Sequence, residues 1–320
     1  MKEKQPLLSI CLPTYNRGYI LRETLQKFVS NQELNDDVEL IISDNCSTDD
    51  TQEICLHFAS LHHSVKYHRN EENIHDRNFV KVLSYANGLY LKLINDWTYY
   101  DEDGLHFVKE KVKMYAEEKI PLFFTTGVLF TKRKAEYVRC NNLDDYIATV
   151  STFVTYNNIF GVWKEQWELV EDKQRYAALK LQQVDWTYQI VLKNGGCVIF
   201  DKQVMKYSSV ERKTVGGYNW FGVHLDNYYT IMDPYIRKGY VTKKTFVEDK
   251  HYLLKHFKTE FCYTFFYNFD KTWKFETKGT LALLWKYYKH DPYMILYSLM
   301  LPFTYLTRIL KYYRRKRHQQ

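Results

Sequence analysis

This 320-residue chain has neither a cysteine pattern nor an apolar run long enough for a membrane. Its six cysteines, Cys11, Cys46, Cys55, Cys140, Cys197 and Cys262, stand apart with no CxxC pair. That spacing shows no zinc pattern and no disulfide framework, and reduced thiols in a cytoplasmic protein are the expectation. The N-terminal MKEKQPLLSI lacks the long apolar region of a secretory signal. Pro292–Thr307 carries no formal charge but is shorter than the roughly 20 residues a span requires, and Pro302 interrupts it. There is no internal repeat and no low-complexity segment. A basic surface over the whole molecule is also absent. Of the net charge of +7, six units come from Arg308, Lys311, Arg314, Arg315, Lys316 and Arg317, with no acid among them. The remaining 39 basic and 38 acidic residues nearly cancel. This argues against a nucleic-acid footprint and for an anionic surface met by the C-terminus.

What is present is a core and an excess of aromatics. Hydrophobic residues make up 45% of the chain and aromatics 17%, with 29 tyrosines. Such rings combine an apolar face with a polar tip, which suits sugar sites and membrane interfaces as well as ordinary packing. The chain is organised around Val38–Asp50. Val38, Leu40, Ile41 and Ile42 form the short apolar run of a strand buried on both faces. The run stops at Ser43-Asp44-Asn45, and Ser47, Thr48 and Asp49 suit the start of a helix over 51–59. An ordinary capped turn and a ligand site at a strand end fit these residues equally. Neighbouring segments shift the balance. Leu7–Leu12 reads as a strand broken by Pro13–Gly18, followed by a helix over 19–30. Val65–His68 reads as a third strand. Arg77–Asn87 reads as a helix ending at Gly88, and Leu89–Ile94 as a fourth strand stopping at Asn95-Asp96. This alternation predicts a mainly parallel sheet with right-handed crossovers. Three polar strand ends then share one rim: Thr14–Arg17, Ser43–Asn45 and Asn95–Asp96. Farther on, 101–119 reads as a helix, Leu122–Thr131 as a strand, Thr187–Lys193 as a helix and Cys197–Phe200 as a strand. Tyr207–Asn219 reads as a mobile loop, with helices over 220–238, ending at Gly239, and over 242–268.

The motifs SICLPTYNR (9–17), ELIISDNCSTDDT (39–51), RNEENIHDRN (69–78), ANGLYLKLINDW (86–97), VDW (184–186) and GGYNWFGVHLDNYY (216–229) occur in an order and spacing that resembles a known family. Over about residues 7–240 the chain is similar to the inverting family-2 nucleotide-sugar glycosyltransferases. It looks most like the abequosyltransferase-like branch that builds bacterial surface polysaccharides. The resemblance implies an α/β GT-A fold, Rossmann-like, with a mainly parallel sheet and a C-terminal helical extension. It implies a nucleotide-sugar half over 1–110 and an acceptor and catalytic half over 111–240; beyond these the sequence itself reads as a helical extension over 241–290 and an amphipathic basic membrane-associating tail over 291–320. It also implies residue roles. Asp44 would bind the donor's base, usually uracil. Pro13, Thr14, Asn16, Arg17 and Asn95 would line the nucleotide pocket, with Arg77 near the base or phosphates. Asp96 would hold Mg²⁺ or Mn²⁺ on the diphosphate, and Asp185 would be the catalytic base.

Inverting transfer requires a base for the acceptor hydroxyl and positive charge on the departing diphosphate. Asp185 serves the first need, or else caps a helix ahead of Thr187. Asp96 serves the second, although the family's run of two or three acids is here Asn95-Asp96-Trp97-Thr98, with one carboxylate. Mg²⁺ tolerates that when phosphate oxygens and water complete its shell. Asp101-Glu102-Asp103 is a rival acidic cluster, read mainly as a helix start. His224 is a phosphate donor, a metal ligand or, more in keeping with its apolar neighbours, a packed histidine. Arg212 and Lys213 are a diphosphate lid or a solvated loop, and Tyr218 and Trp220 a sugar platform or core. In the tail, Leu296, Met300, Phe303, Leu306 and Leu310 recur at helical spacing ahead of KYYRRKR, the pattern of an interfacial helix on anionic lipid. The expected partners are a nucleotide-sugar donor, UDP-linked in the first instance, a lipid-linked or glycan acceptor and the cytoplasmic face of the cell membrane. The alternatives are a non-catalytic sugar-nucleotide-binding subunit and a membrane-surface scaffold.

Overall fold

The strand at the centre of the sheet, β1 (Leu8–Thr14), alternates its side chains between two cores, and the rest of the first half is built on it. The structure is a computed structural model and describes residues 5–125, 136–213, 215–266 and 273–317. After β1 come α1 (Gly18–Val29), β2 (Val38–Asp44), α2 (Thr51–Leu61), β3 (Val65–Arg69), α3 (Asn78–Ser84), β4 (Tyr90–Leu93), β5 (Thr98–Tyr100) and α4 (Glu102–Met114). Then follow β6 (Leu122–Phe124), β7 (Tyr137–Cys140), α5 (Leu143–Val150), β8 (Gly161–Trp163), α6 (Lys164–Glu168), α7 (Gln182–Lys193), β9 (Cys197–Phe200) and β10 (Met205–Tyr207). The main sheet has the order β3-β2-β1-β4-β8. Its first four strands are parallel and β8 runs antiparallel to β4 at the edge. β6, β9 and β7 form a second sheet, and β5 pairs with β10.

Because successive strand residues face opposite sides, Leu8, Ile10 and Leu12 enter one core with α1, α2 and α4. Cys11 joins the other, with Ile41 and Leu91 beside Val82 of α3, Trp167 of α6 and Trp186 of α7. β2 is buried along its whole length, as the apolar run requires once helices cover both faces. The register sets Thr14 beside Asp44.

The predicted strands and helices of this half are present, with three differences. α3 ends at Ser84, so Gly88 is not its cap. Gly88 is required instead because a Cβ there would lie 2.7 Å from the Ser9 backbone nitrogen. α7 begins at Gln182, five residues ahead of the expected Thr187, so Asp185 lies inside the helix and not at its N-cap. β6 ends at Phe124, and the expected continuation through 126–131 falls outside the described residues. Asp101 does cap α4, accepting from the Gly104 N–H at 2.9 Å.

The chain divides between Glu211 and Arg212 into two compact units. The second contains β11 (Val215–Gly216), a π-helical turn over Gly222–Asn227, α8 (Tyr228–Arg237), α9 (Lys243–Phe266), β12 (Trp273–Lys274), α10 (Thr280–Tyr288) and α11 (Pro292–Arg317). β11 pairs with β12, so the expected loop over 207–219 includes a short paired strand. Gly239, at φ 76°, follows α8 in the left-handed conformation expected of a helix stop. Phe221, Phe257 and Tyr288 are buried in this unit's own core, and α11 packs along α9.

Candidate functional site

β1 and β4 are neighbours, yet the chain runs outward from β1 through β2 to β3 before it returns to β4. The strand order therefore reverses between β1 and β4, and open α/β sheets bind ligands outside the strand C-termini at such a point. Here Thr14 donates through Oγ1 to Asp96 Oδ2 at 2.9 Å, bridging the crevice. Arg17 Nε lies 3.9 Å from the same oxygen, and Thr24 of α1 donates to the Asp96 carbonyl at 3.0 Å. Asn95 donates its N–H to Asn158 Oδ1 at 2.7 Å, which fixes the peptide ahead of Asp96. The Asn157–Ile159 turn is held in turn by Lys92 of β4, whose Nζ donates to the carbonyls of Asn158 and Phe160. Burial pushes the Lys92 ammonium down to about 7.

The loops after β1 and β2 are tied to each other. Asn16 is left-handed, at φ 51°. Its N–H donates to Ser47 Oγ at 2.9 Å, and its Oδ1 accepts from the Thr48 N–H at 2.8 Å. Arg17 donates its N–H to Thr51 Oγ1 at 3.1 Å. Pro13 stands opposite Ser43 in the sheet register.

Asp44 has no exposure to solvent. Its Oδ1 accepts from the Ser47 N–H at 2.9 Å and the Ser47 hydroxyl at 2.5 Å. Its Oδ2 accepts from the Tyr67 hydroxyl at 2.8 Å and faces Arg69 Nε at 3.6 Å. Oδ2, which accepts a single hydrogen bond, is the oxygen that a nucleobase N–H would join or take over once the groups covering it shift. Burial and the Asp44 carboxylate push the Tyr67 phenol well up, so Tyr67 stays a donor. Next to it, Asn45, Asn70, Asn73 and Asn78 are joined side chain to side chain and hold the 69–78 loop against β2. Arg77 is exposed and, with Lys81, Ser84 and Gln174, lines a shallow depression along α3.

Asp185 is 1% exposed. Arg175 Nη2 lies 2.7 Å from each of its carboxylate oxygens, and Gln189 Nε2 donates to Oδ2 at 2.8 Å. Two residues earlier, Gln183 donates to the Thr155 carbonyl at 2.7 Å. Thr155 and Asn158 belong to consecutive 3-10 turns, so the Asp96 loop and the start of α7 rest on one support. Gln182 and Lys180 also tie that start to Asp76, in the turn before α3. The strap after β10 is held over α1 by Glu23, which accepts from Ser208, Ser209 and Val210. Those bonds, Ser208's first, hold the Glu23 carboxyl below the usual carboxylate range.

Arg212, Lys213 and His224 belong to the second unit. His224 packs on the Trp220 ring at 4.7 Å between centroids, and burial pushes its imidazole down to about 4. Both rings are half-buried, and Trp220 packs edge-on against Phe257.

Among the described residues no three of His, Cys, Asp and Glu converge on a metal-sized point. Asp96 offers a single carboxylate with the Thr14 hydroxyl beside it. That set suits Mg²⁺ or Mn²⁺ arriving on a diphosphate, which brings its own oxygens, and does not suit an ion caged by protein alone.

Residues 9–111, which carry the three polar strand ends, match the model of glycosyl transferase family 2. This segment is a family-2 glycosyltransferase domain. Abequosyltransferase RfbV of Salmonella typhimurium is 28% identical over 211 residues, covering 60% of this chain and 63% of that protein. A GalNAc(5)-diNAcBac-PP-undecaprenol beta-1,3-glucosyltransferase of Campylobacter jejuni is 31% identical over 93 residues, 28% of this chain and 29% of that one. The chain thus spans less than two thirds of either curated relative. The structure of S. aureus TarS 1-349 in complex with UDP superposes with a TM-score of 0.56 at 14% identity, over 98% of this chain and 92% of that one. The mannosyltransferase PcManGT from Pyrobaculum calidifontis, with GDP-Man and Mn²⁺, gives 0.54 at 15%, over 95% and 88%. The fold is that of the GT-A glycosyltransferases.

Tyr67, Asn158, Arg175, Gln189 and Glu23 do not stand out in the sequence. Gln189 lies one turn from Asp185 in α7, a helix expected only from Thr187; the other four act by contacts between segments that the sequence alone does not bring together. One signal was available: a carboxylate at the end of a fully apolar strand requires buried partners, and Arg69 and Tyr67 lie on the next strand in register to supply them.

Proposed function

We propose that this chain is an inverting glycosyltransferase that moves a sugar from a nucleotide diphosphate, in the first instance UDP, to a hydroxyl of a lipid-linked or glycan acceptor during surface polysaccharide synthesis. The observation that carries the reading is the Thr14–Asp96 hydrogen bond across the β1/β4 crevice, inside the segment that matches family 2. The relatives support it by name, one as an abequosyltransferase and one as a glucosyltransferase on an undecaprenol-linked glycan.

In this reading the nucleotide lies over the ends of β1 and β2, against Pro13, Thr14, Asn16, Arg17, Asp44 and Asn95, with Arg77 at the pocket's outer side. Asp96 holds the divalent ion, which when bound neutralises charge on the leaving diphosphate. Arg17, 3.9 Å from Asp96, adds a fixed cation to the same crevice. The acceptor oxygen attacks the anomeric carbon as the carbon–oxygen bond to the diphosphate breaks. The bonding pair leaves with the diphosphate and the hydroxyl proton passes to Asp185. Arg175 and Gln189 orient that carboxylate, and the hydroxyl takes one of their places at its oxygens. The uncharged, amphipathic stretch of α11 with its basic end docks the enzyme on the inner face of the cell membrane; no helix among the described residues is long and apolar enough to cross one.

The test pairs Asp185→Asn with a thermal-shift panel of nucleotide sugars in Mg²⁺ or Mn²⁺. One donor should raise the melting temperature selectively. Asp185→Asn should keep that shift and lose transfer by about 10²–10⁴-fold, the span of general-base catalysis. Normal turnover by the variant would end the mechanism. A wild-type shift with no transfer to any acceptor would favour the second reading, a nucleotide-sugar-binding subunit, for which the internal engagement of both Asp185 oxygens speaks.

A further inference from the structure

The second unit holds a groove that the transfer chemistry does not use. It lies among α9, α10 and α11 and is lined by Leu254, Phe257, Phe261, Leu284 and Leu301 together with Ser298. Ser298 makes no demand on an occupant, because its hydroxyl already donates to the Met294 carbonyl at 2.7 Å. The lining calls for an apolar guest. The mouth is apolar too. Leu281, on the lining, is exposed, as is Trp285 one turn along α10, and Ile295, Leu299 and Phe303 stand out from α11, Leu299 being 75% exposed. Leu306, Leu310 and Tyr313 extend the exposed apolar face toward the end of the helix. That end carries six Lys and Arg between 308 and 317, with no acid.

A face this apolar, continuous with a cationic end, is matched by one kind of surface. A second copy of the chain would bring the same cations and gain no complementarity. A bilayer of acidic lipid offers hydrocarbon beneath a layer of negative charge. The helix is long enough to lie along it, as 26 residues span roughly 39 Å at the helical rise, and Trp285 and Tyr293 are residue types that favour the headgroup level. We infer that the groove takes one hydrocarbon chain of an anionic membrane lipid, while the outer face of α10 and α11 rests at the headgroup boundary. This rests on the membrane part of the proposed function and is independent of the role of Asp185.

The test uses the full-length protein. Alkyl phosphates of increasing chain length, kept below micelle formation, should bind with affinity rising about fourfold per methylene, the usual gain for a buried CH₂, until the groove is filled. Ser298→Phe, which fills the groove and leaves the outer face intact, should weaken that binding at least about tenfold while the protein still floats with vesicles of phosphatidylglycerol and phosphatidylcholine in equal parts. Leu299→Asp with Phe303→Asp should lose the vesicles and keep the alkyl phosphate. Lipids brominated on their acyl chains should quench the wild type more than Trp285→Phe. Affinity indifferent to chain length, or unchanged by Ser298→Phe, overturns the inference. So does a dimer in sedimentation that the Leu299 and Phe303 substitutions dissociate without any chain binding. UDP binding, read in parallel on every variant, separates failure of the groove from failure of the transferase reading.

Discussion

Asp44 is fully buried and already accepts three hydrogen bonds before any nucleotide arrives. A buried carboxylate without partners is costly, and Ser47, Tyr67 and Arg69 supply them. If the donor's base takes Oδ2, the Tyr67 hydroxyl gives way. Tyr67→Phe should then bind UDP as well as or better than the wild type, while Asp44→Asn weakens it about tenfold or more. Calorimetry on both, with melting curves to confirm folding, decides. Equal losses in the two variants would make Asp44 a support of the turn and no reader of the base. Lys92 makes a second prediction. Its folded value of about 7 lies below the unfolded 10.4, so above pH 7 the unfolded chain binds the extra proton and stability rises with pH. The contribution is complete above about 10 and is lost as pH falls toward 7, at up to about 1.4 kcal/mol per pH unit. Urea midpoints at pH 7 and 9 should therefore climb more in the wild type than in Lys92→Met. Parallel slopes would show that Lys92 stays charged in the fold.

The elements of the sheet are legible in the sequence because their signals are local. An apolar run with a polar stop marks β2, and the β-α alternation implies parallel strands. The start of α7 is not legible, because Leu181 at its N-cap offers no capping side chain and its first turn, Gln182-Gln183, is polar yet buried. Asp185 carries the sequence signal of a cap, although the helix is already under way when the chain reaches it. The end of α3 is obscured for a related cause. Gly88 looks like a helix stop, but its N–H donates to Ser9 Oγ at 2.7 Å and its missing Cβ lets two backbones meet. Gly88→Ala should accordingly destabilise by about 1–3 kcal/mol, the usual cost of overpacking, seen as a lower urea midpoint with an unchanged slope. A neutral outcome would mean that the loop before β4 shifts freely, and that the β1–β4 register owes nothing to the close approach. At the site, the three polar rims are legible from strand ends alone, whereas the clasp of Arg175 on Asp185 joins residues 10 apart across an irregular loop and has no sequence period to betray it.

Over the whole molecule, charge and chemistry are kept in different places. The residues proposed for nucleotide, metal and base all precede Glu211, where the first unit ends, and the six unbalanced cations lie in the last helix of the second. Removing cations should thus change where the protein sits without changing what it binds. Each Lys or Arg near an anionic membrane contributes about 1 kcal/mol. Replacing Arg314 and Arg315 by Gln should then weaken vesicle binding by about 2 kcal/mol, or roughly 30-fold, at low salt. Raising the salt should erase most of the difference, since the Debye length falls from about 10 Å at 0.1 M to about 3 Å at 1 M. UDP affinity should stay constant throughout. Co-sedimentation with phosphatidylglycerol vesicles across a salt series, beside calorimetry with UDP, measures both. A loss of vesicle binding that persists at high salt would assign the tail a packing role in the second unit, and a matching loss of UDP affinity would show that the two units do not act independently.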